Sequence, residues 1–177
     1  MLTTDQLKVS GPCQELFQFD ELTEAIRKML RFDTLFRSAC PTLAIQINVM
    51  NEGDCFPWHF DTNDGVVSFM IQNADVGGAF EYAPLIRDED AENYAGVSRI
   101  LSERDAPKRV EMPAGTLSLF LGRRSIHRVA PVGATTQSRL SLLYSYDRKP
   151  NMRFPQSSCD RICNPSPEPY RGGVAMS

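Results

Sequence analysis

Two histidines occur in the 177 residues, and one of them stands close to a carboxylate. His59 lies in FPWHFDTND, with Asp61 two positions on. On an extended strand residues i and i+2 point to the same side, so this imidazole and this carboxylate are placed as two adjacent ligands of one metal ion. A second imidazole from another strand would complete two histidines and one carboxylate on a triangular face. That donor set suits iron(II) and leaves coordination positions open. His127, in GRRSIHRVAPV, is the only residue able to supply it. Taken alone an H-x-D triplet is a weak signal, and a satisfied structural or surface histidine is the ordinary alternative.

Arg139 opens the segment RLSLLYSYD, after His127. Period two places Arg139, Ser141, Leu143 and Ser145 on one face and Leu140, Leu142, Tyr144 and Tyr146 on the other. An arginine aimed into a barrel is costly to bury unpaired. Its planar fork fits a carboxylate bidentately, and the Ser141 hydroxyl on the same face adds a donor. By itself Arg139 also reads as an internal salt bridge or a surface residue. Together with the metal set, a bound dicarboxylate explains it better.

The order H-x-D, distal H, R-x-S in HFD…SIH…RLS resembles that of the iron(II)/2-oxoglutarate-dependent oxygenases, over residues 43 to 150. The segments NEGDCFPWHFD, GGAFEYAPLIR and GTLSLFLGRRSIHRVAPV are similar to a branch that acts on amino acids and related small molecules. The resemblance implies a double-stranded β-helix, a jelly roll of cupin-like form, using Fe(II), 2-oxoglutarate as co-substrate and O2. It implies His59, Asp61 and His127 as iron ligands and Arg139 as the clamp on the distal carboxylate of 2-oxoglutarate, assisted by Ser141. Asn48 occupies a strand where the family often places a further co-substrate donor. Halogenating relatives have a small residue in place of the carboxylate ligand, so Asp61 favours hydroxylation or a related oxidation (desaturation or cyclisation) of an unactivated C–H in a small, amino-acid-like metabolite. Such chemistry needs no general base, which agrees with a chain that has no spare histidine. Two other readings stand beside it: a cupin-type metal enzyme without 2-oxoglutarate, which usually has more histidines, and a non-catalytic or truncated β-helix protein that binds or regulates.

The elements that must position these residues are mainly strands. FDELTEAIRKMLRFDTLF has Leu22, Ile26, Met29 and Leu30 at helical spacing with Asp20 placed to cap the start, an N-terminal amphipathic helix. From residue 43 the period becomes two: LAIQINVM turns Ile45, Ile47 and Val49 one way and Gln46, Asn48 and Met50 the other. GVVSFMIQ, AFEY, KRVEMP, TLSLFLG and RLSLLYSYD read as further strands separated by Gly/Pro turns, a sandwich or jelly-roll pattern. Residues 1–150 are expected to be one domain with its β core over about 43–150. The charged stretch 85–109 reads as a long surface insertion, lid-like by its place in the family pattern. Residues 151–177 read as an irregular tail.

For a substrate, Trp58 and Phe60 alternate away from His59 and read as core. Glu81, turned opposite to Phe80 and Tyr82, is a candidate for a substrate amine or for an internal arginine. Arg124, close to His127 at the barrel mouth, is a candidate for a substrate carboxylate, with a solvated charge as the alternative.

The formal charge of −3 and pI near 5.4 leave no broad basic footprint, which argues against nucleic acid and anionic membranes as partners. The start of the sequence lacks the basic-then-apolar pattern of a secretory signal, no stretch is long and apolar enough for a membrane span, and a cytoplasmic protein is expected. Fewer residues precede the first core strand than the family usually has, so a homodimer is one way to complete the barrel's support. The five cysteines are odd in number and irregular in spacing, so reduced thiols are expected. Cys159 and Cys163 form a C-x3-C pair that lacks the further ligands of a zinc site.

Overall fold

The computed structural model describes residues 1–163. Its first half contains β1 (Leu2–Thr3), α1 (Pro12–Gln18), α2 (Asp20–Leu30), β2 (Phe36–Arg37), β3 (Ile45–Met50), β4 (Phe56–His59), β5 (Gly65–Gln72) and β6 (Phe80–Ala83). There follow α3 (Tyr94–Leu101), β7 (Lys108–Val110), β8 (Leu117–Phe120), β9 (Ile126–Val129), β10 (Arg139–Asp147) and α4 (Gln156–Cys163). The strands form two antiparallel sheets. The larger runs β1-β3-β10-β5-β8, with β2 added to the end of β10, and the smaller runs β4-β9-β6-β7. This is the mainly β, jelly-roll architecture expected from the alternation.

Register explains how one backbone makes two different faces. Leu142 of β10 pairs with Ile47 on one side and Phe69 on the other, and Tyr144 with Ile45 and Val67, so branched and aromatic side chains meet on one side of the large sheet. That side is roofed by α1 and α2: Phe17 and the fully buried Ile26 join it, with Leu22 and Leu30 at its margin. The i, i+4, i+8 spacing of Leu22, Ile26 and Leu30 puts all three on the helix's inner face. On the other side of the same strands Asn48 lies across from Ser141, and Met50 from Arg139. This polar side faces the small sheet.

Several local details depart from the expectations. Asp20 is the first residue of α2 rather than its cap and instead pairs with Arg37 at 2.7 Å. Met29 is 56% exposed, since its position falls off the Leu22–Ile26–Leu30 stripe. Arg31, at φ 57°, ends the helix in the left-handed conformation, its N–H returning to the carbonyls of Arg27 and Lys28.

The charged stretch 85–109 is not an open insertion over the barrel. It contains α3, begun by the Asn93 side chain accepting from the Gly96 N–H at 3.1 Å, and it leads directly into β7. Val97 and Ile100 pack with Ala83, Ile126, Trp58 and Phe60, so the segment covers the outer face of the small sheet. Trp58 and Phe60 are core, as their alternation predicts. The tail likewise contains order: α4 seats Cys159 and Ile162 against Cys40 and Leu43. The rest of the expected irregular tail, residues 164–177, lies outside the described residues. No described helix is long and apolar enough to cross a membrane.

Candidate metal centre

His59 is the last residue of β4 and lies directly across from His127 of β9, which brings the two imidazole rings to a centroid distance of 4.0 Å. Asp61 stands just past the end of β4, where the extended chain is kept in line by its N–H donating to the Gly122 carbonyl at 3.1 Å. The i, i+2 relation therefore survives although the strand itself has ended. Asp61 Oδ1 is 3.7 Å from His59 Nε2 and 3.5 Å from His127 Nε2. All three ligand atoms fall within 4.8 Å of one another, the one such metal-capable group among the described residues. Three ligands on an octahedral face, each about 2.1 Å from an ion, stand roughly 3 Å apart. A small contraction of the side chains brings this set to that spacing.

Second contacts prepare both rings. His59 Nδ1 lies 2.8 Å from the Pro57 carbonyl and His127 Nδ1 2.9 Å from the Ser125 carbonyl. A carbonyl only accepts, so each Nδ1 carries the proton and each Nε2 turns its lone pair toward Asp61. The pKa of His59 is lowered from 6.5, first by burial and then by the neighbouring His127, with Asp61 opposing. The positive charge of Arg161 on α4 also acts on His59 in the lowering direction. At neutral pH His59 is therefore the neutral imidazole that a metal requires.

The inner face of the large sheet supplies the second half of the site. Arg139 is 3% exposed, and its Nη1 donates to Ser141 Oγ at 3.2 Å. Its Nε is buried without a partner, as is Oδ1 of Asn48, the residue across from Ser141. Burial lowers the Arg139 pKa, and among the described residues no carboxylate lies within salt-bridge distance of it. A buried guanidinium without an opposite charge is costly, and its planar fork has the geometry to take a carboxylate. The expected trio Arg139, Ser141 and Asn48 is thus brought together.

Glu81 and Arg124 are not brought to the centre. Glu81 pairs across the sheet with Arg128 and Arg109, on the face opposite His127, and its carboxylate takes Arg128 Nε at 2.7 Å and approaches Arg109 Nη1 at 3.9 Å. Arg128 in turn lies over the Trp58 ring at 4.7 Å. Of the two partners weighed for Glu81, the structure places the internal arginine beside it. Arg124 is engaged by Asp88 and the Arg87 carbonyl and so ties down the start of the 85–109 stretch.

Phe56 of β4 packs 4.9 Å from the His59 ring, and Phe80 and Tyr82 of β6 and Phe120 of β8 lie on the side of His127. Phe120 stands edge-on to Phe80 and Tyr82, with centroids at 4.9 and 5.6 Å, and 4.8 Å from His127. Alternation alone separated Phe80 and Tyr82 from Glu81 without saying which side was interior.

Two glycines also serve the site. A Cβ on Gly122 would overlap Asp61 Oδ2 and stand 2.5 Å from its Cγ, so the carboxylate sits in the space that the missing side chain leaves. A Cβ on Gly78, at φ +67°, would come 2.8 Å from Arg139 Cδ. The signal in the sequence was a glycine at the end of an alternating strand, in TLSLFLG, and a doubled glycine before AFEY.

No family model and no curated protein matches the sequence. Solved structures do match in fold. A 2OG-Fe(II) oxygenase family oxidoreductase from Burkholderia pseudomallei superposes with a TM-score of 0.58 at 21% identity, covering 81% of this chain and 58% of that one. AviO1 from Streptomyces viridochromogenes gives 0.60 at 15% identity, covering 86% and 68%. A prolyl 4-hydroxylase from Phytophthora capsici gives 0.51 at 20% identity, covering 85% and 48%. The chain thus spans 58% of the length of the Burkholderia structure. What these likenesses establish is the fold.

Proposed function

We propose that the chain is an iron(II)- and 2-oxoglutarate-dependent oxygenase that hydroxylates, desaturates or cyclises a small, amino-acid-like molecule. The observation that carries this reading is the pairing of two features in one interior: a His59–Asp61–His127 cluster of which His127 is buried and the other two are partly buried, and a buried Arg139 that no carboxylate among the described residues neutralises. A structural arginine would have an acidic neighbour. One that waits for an anionic ligand would not.

The donor set fits iron(II): two neutral imidazoles with fixed tautomers and one carboxylate on a common face. Bound there with 2-oxoglutarate and O2, iron would supply the oxidising power to remove hydrogen from an unactivated carbon while 2-oxoglutarate is decarboxylated. The chain's own residues do the rest. Arg139, with Ser141 beside it and Asn48 across from it, holds the far carboxylate of 2-oxoglutarate and so orients its other end toward the metal ligands. Phe80, Tyr82 and Phe120 wall the space beside His127 and exclude water. Gly122 leaves Asp61 its place. Desaturation and cyclisation need the same first step as hydroxylation, and the placement of the substrate carbon chooses among them.

The test is anaerobic titration with iron(II) and 2-oxoglutarate, following the visible charge-transfer absorption of the chelate. The native chain is expected to develop the band, His127→Ala to lose it, and Arg139→Ala to need roughly tenfold or more 2-oxoglutarate for it. A folded, iron-loaded protein without the band would overturn the reading. Succinate release in the presence of candidate amino acids then identifies the substrate.

A further inference from the structure

Cys40, in the turn ahead of β3, and Cys159, in the middle of α4, bring their sulfurs within 3.9 Å of each other. They are buried, at 3% and 8% exposure, in a small apolar cluster completed by Leu43, Phe154 and Ile162. This cluster is distinct from the core under α1 and α2, and it is what seats α4 on the barrel. Neither sulfur takes part in the metal centre.

The two thiols are not equivalent. Leu43 donates its N–H to Cys40 Sγ at 3.4 Å. Burial works against ionising Cys40, but the N–H groups of Leu43, Thr42 and Phe154 directed at its sulfur outweigh it, and the pKa falls below the ordinary thiol value. Burial, with Cys40 beside it, pushes Cys159 up to about 11. One sulfur is thus set up to attack, and the other retains its proton.

We propose that Cys40 and Cys159 form a redox-active dithiol that a hydroperoxide converts into a disulfide, stapling α4 to the turn before β3. The Cys40 thiolate attacks one peroxide oxygen, the O–O bond breaks, and the departing oxygen takes up a proton as water or alcohol, leaving a sulfenic acid. The Cys159 sulfur then attacks Cys40 Sγ, the S–S bond forms, and the sulfenic oxygen leaves as water with the Cys159 proton. Two thiols are oxidised by two electrons in all, and one peroxide is reduced. Burial selects the oxidant: a small uncharged peroxide reaches these sulfurs, whereas a peptide-sized disulfide does not. The bond closes a loop from residue 40 to residue 159, so it restricts the unfolded chain over most of the sequence.

The experiment uses the full chain carrying Cys55→Ser and Cys163→Ser, which removes the two exposed thiols, with a chelator present to withhold iron. It is treated with hydrogen peroxide, alkylated and mapped by mass spectrometry. The expected result is a Cys40–Cys159 cross-linked peptide, a mass lower by two hydrogens, and a Tm several degrees higher that dithiothreitol reverses. Adding Cys159→Ser is expected to halt the reaction at a Cys40 sulfenic acid that dimedone traps. A cross-link through Cys13, over-oxidation of Cys40 without a cross-link, or a Cys40 that stays unmodified under peroxide would each overturn the proposal. Because iron and 2-oxoglutarate are absent throughout, the outcome is independent of the oxygenase reading.

Discussion

The two faces of β3, β10 and β5 share a backbone and do opposite jobs. On one, Ile45, Val67, Leu142 and Tyr144 lock under the helices, where the buried polar atoms without a partner are the neutral hydroxyls of Thr23 and Tyr146. On the other, Asn48 Oδ1 and Arg139 Nε lack a partner, and Arg139 is a buried guanidinium with no carboxylate within salt-bridge distance among the described residues. The first arrangement lowers the free energy of the folded chain, since burying apolar surface contributes about 25 cal/mol per Å². The second raises it, since an unsatisfied buried polar group costs on the order of 1–3 kcal/mol. An unpaired buried charge is what the second face has and the first lacks, and it is costlier to bury than a neutral hydroxyl. That contrast supports the proposed role of the inner face in holding an anionic ligand.

The largest effect should come from striking each face in turn. Tyr144→Ala removes a fully buried ring packed 5.1 Å from Phe17 and a hydroxyl that donates to the Cys13 carbonyl at 2.7 Å. A loss of about 3–5 kcal/mol is expected in chemical denaturation, enough to unfold a marginal domain. Arg139→Ala, equally buried, is expected to leave the unliganded protein no less stable, because it takes away a charge that nothing pairs, while the response of Tm to added 2-oxoglutarate disappears. If Arg139→Ala were as destabilising as Tyr144→Ala, the inner face would be ordinary core and the contrast would fail.

A sharper version concerns Gly122, which has no strained backbone to confuse the result. Gly122→Ala is expected to displace the Asp61 carboxylate and to weaken iron(II) binding by roughly tenfold or more, the scale seen when groups around a metal site are disturbed. The stability cost should be about 1–3 kcal/mol, as for overpacking. In an Asp61→Gly background that cost should vanish, because every close contact is with the Asp61 side chain. A cost that persists there would place the strain elsewhere. Acidification probes the same ligands: with the His59 pKa below 6.5, the unfolded chain takes up its proton first as pH falls, so folded stability declines from pH 6.5 downward, and metal affinity declines at the lower pH where folded His59 is protonated.

What was legible in the sequence follows from the same geometry. Period two determines which residues share a face, so His59 with Asp61, and Arg139 with Ser141, were readable without coordinates. It does not say which face is inside. On β6 both sides are covered, Phe80 and Tyr82 by Phe120 and His127, Glu81 by arginines, and hydropathy could not choose between them. α3 was hidden because only Val97 and Ile100 of its residues join the apolar cluster, set in a charged stretch. α4 is anchored by Cys159 and Ile162 alone, too thin a stripe to register as periodicity. The space that Gly122 leaves for Asp61 depends on two strand ends meeting in three dimensions, and no local pattern encodes it.

The smallest effect should be at Glu81, where the comparison moves to the two faces of the small sheet. Its inner face carries His127 and the aromatic wall, while its outer face carries the Glu81–Arg128 pair beneath Trp58. Glu81→Gln keeps the shape, and its amide oxygen can still accept from Arg128, so only the charge is lost. Arg128 is partly open to solvent, and water can screen it once its partner is neutral. The expected cost is about 1 kcal/mol in denaturation, with iron(II) affinity unchanged. A large fall in metal affinity would show that the outer ion pair holds β9, and with it His127, in register. In that case the two faces would be coupled, and the outer pair would have to be counted as part of the metal centre.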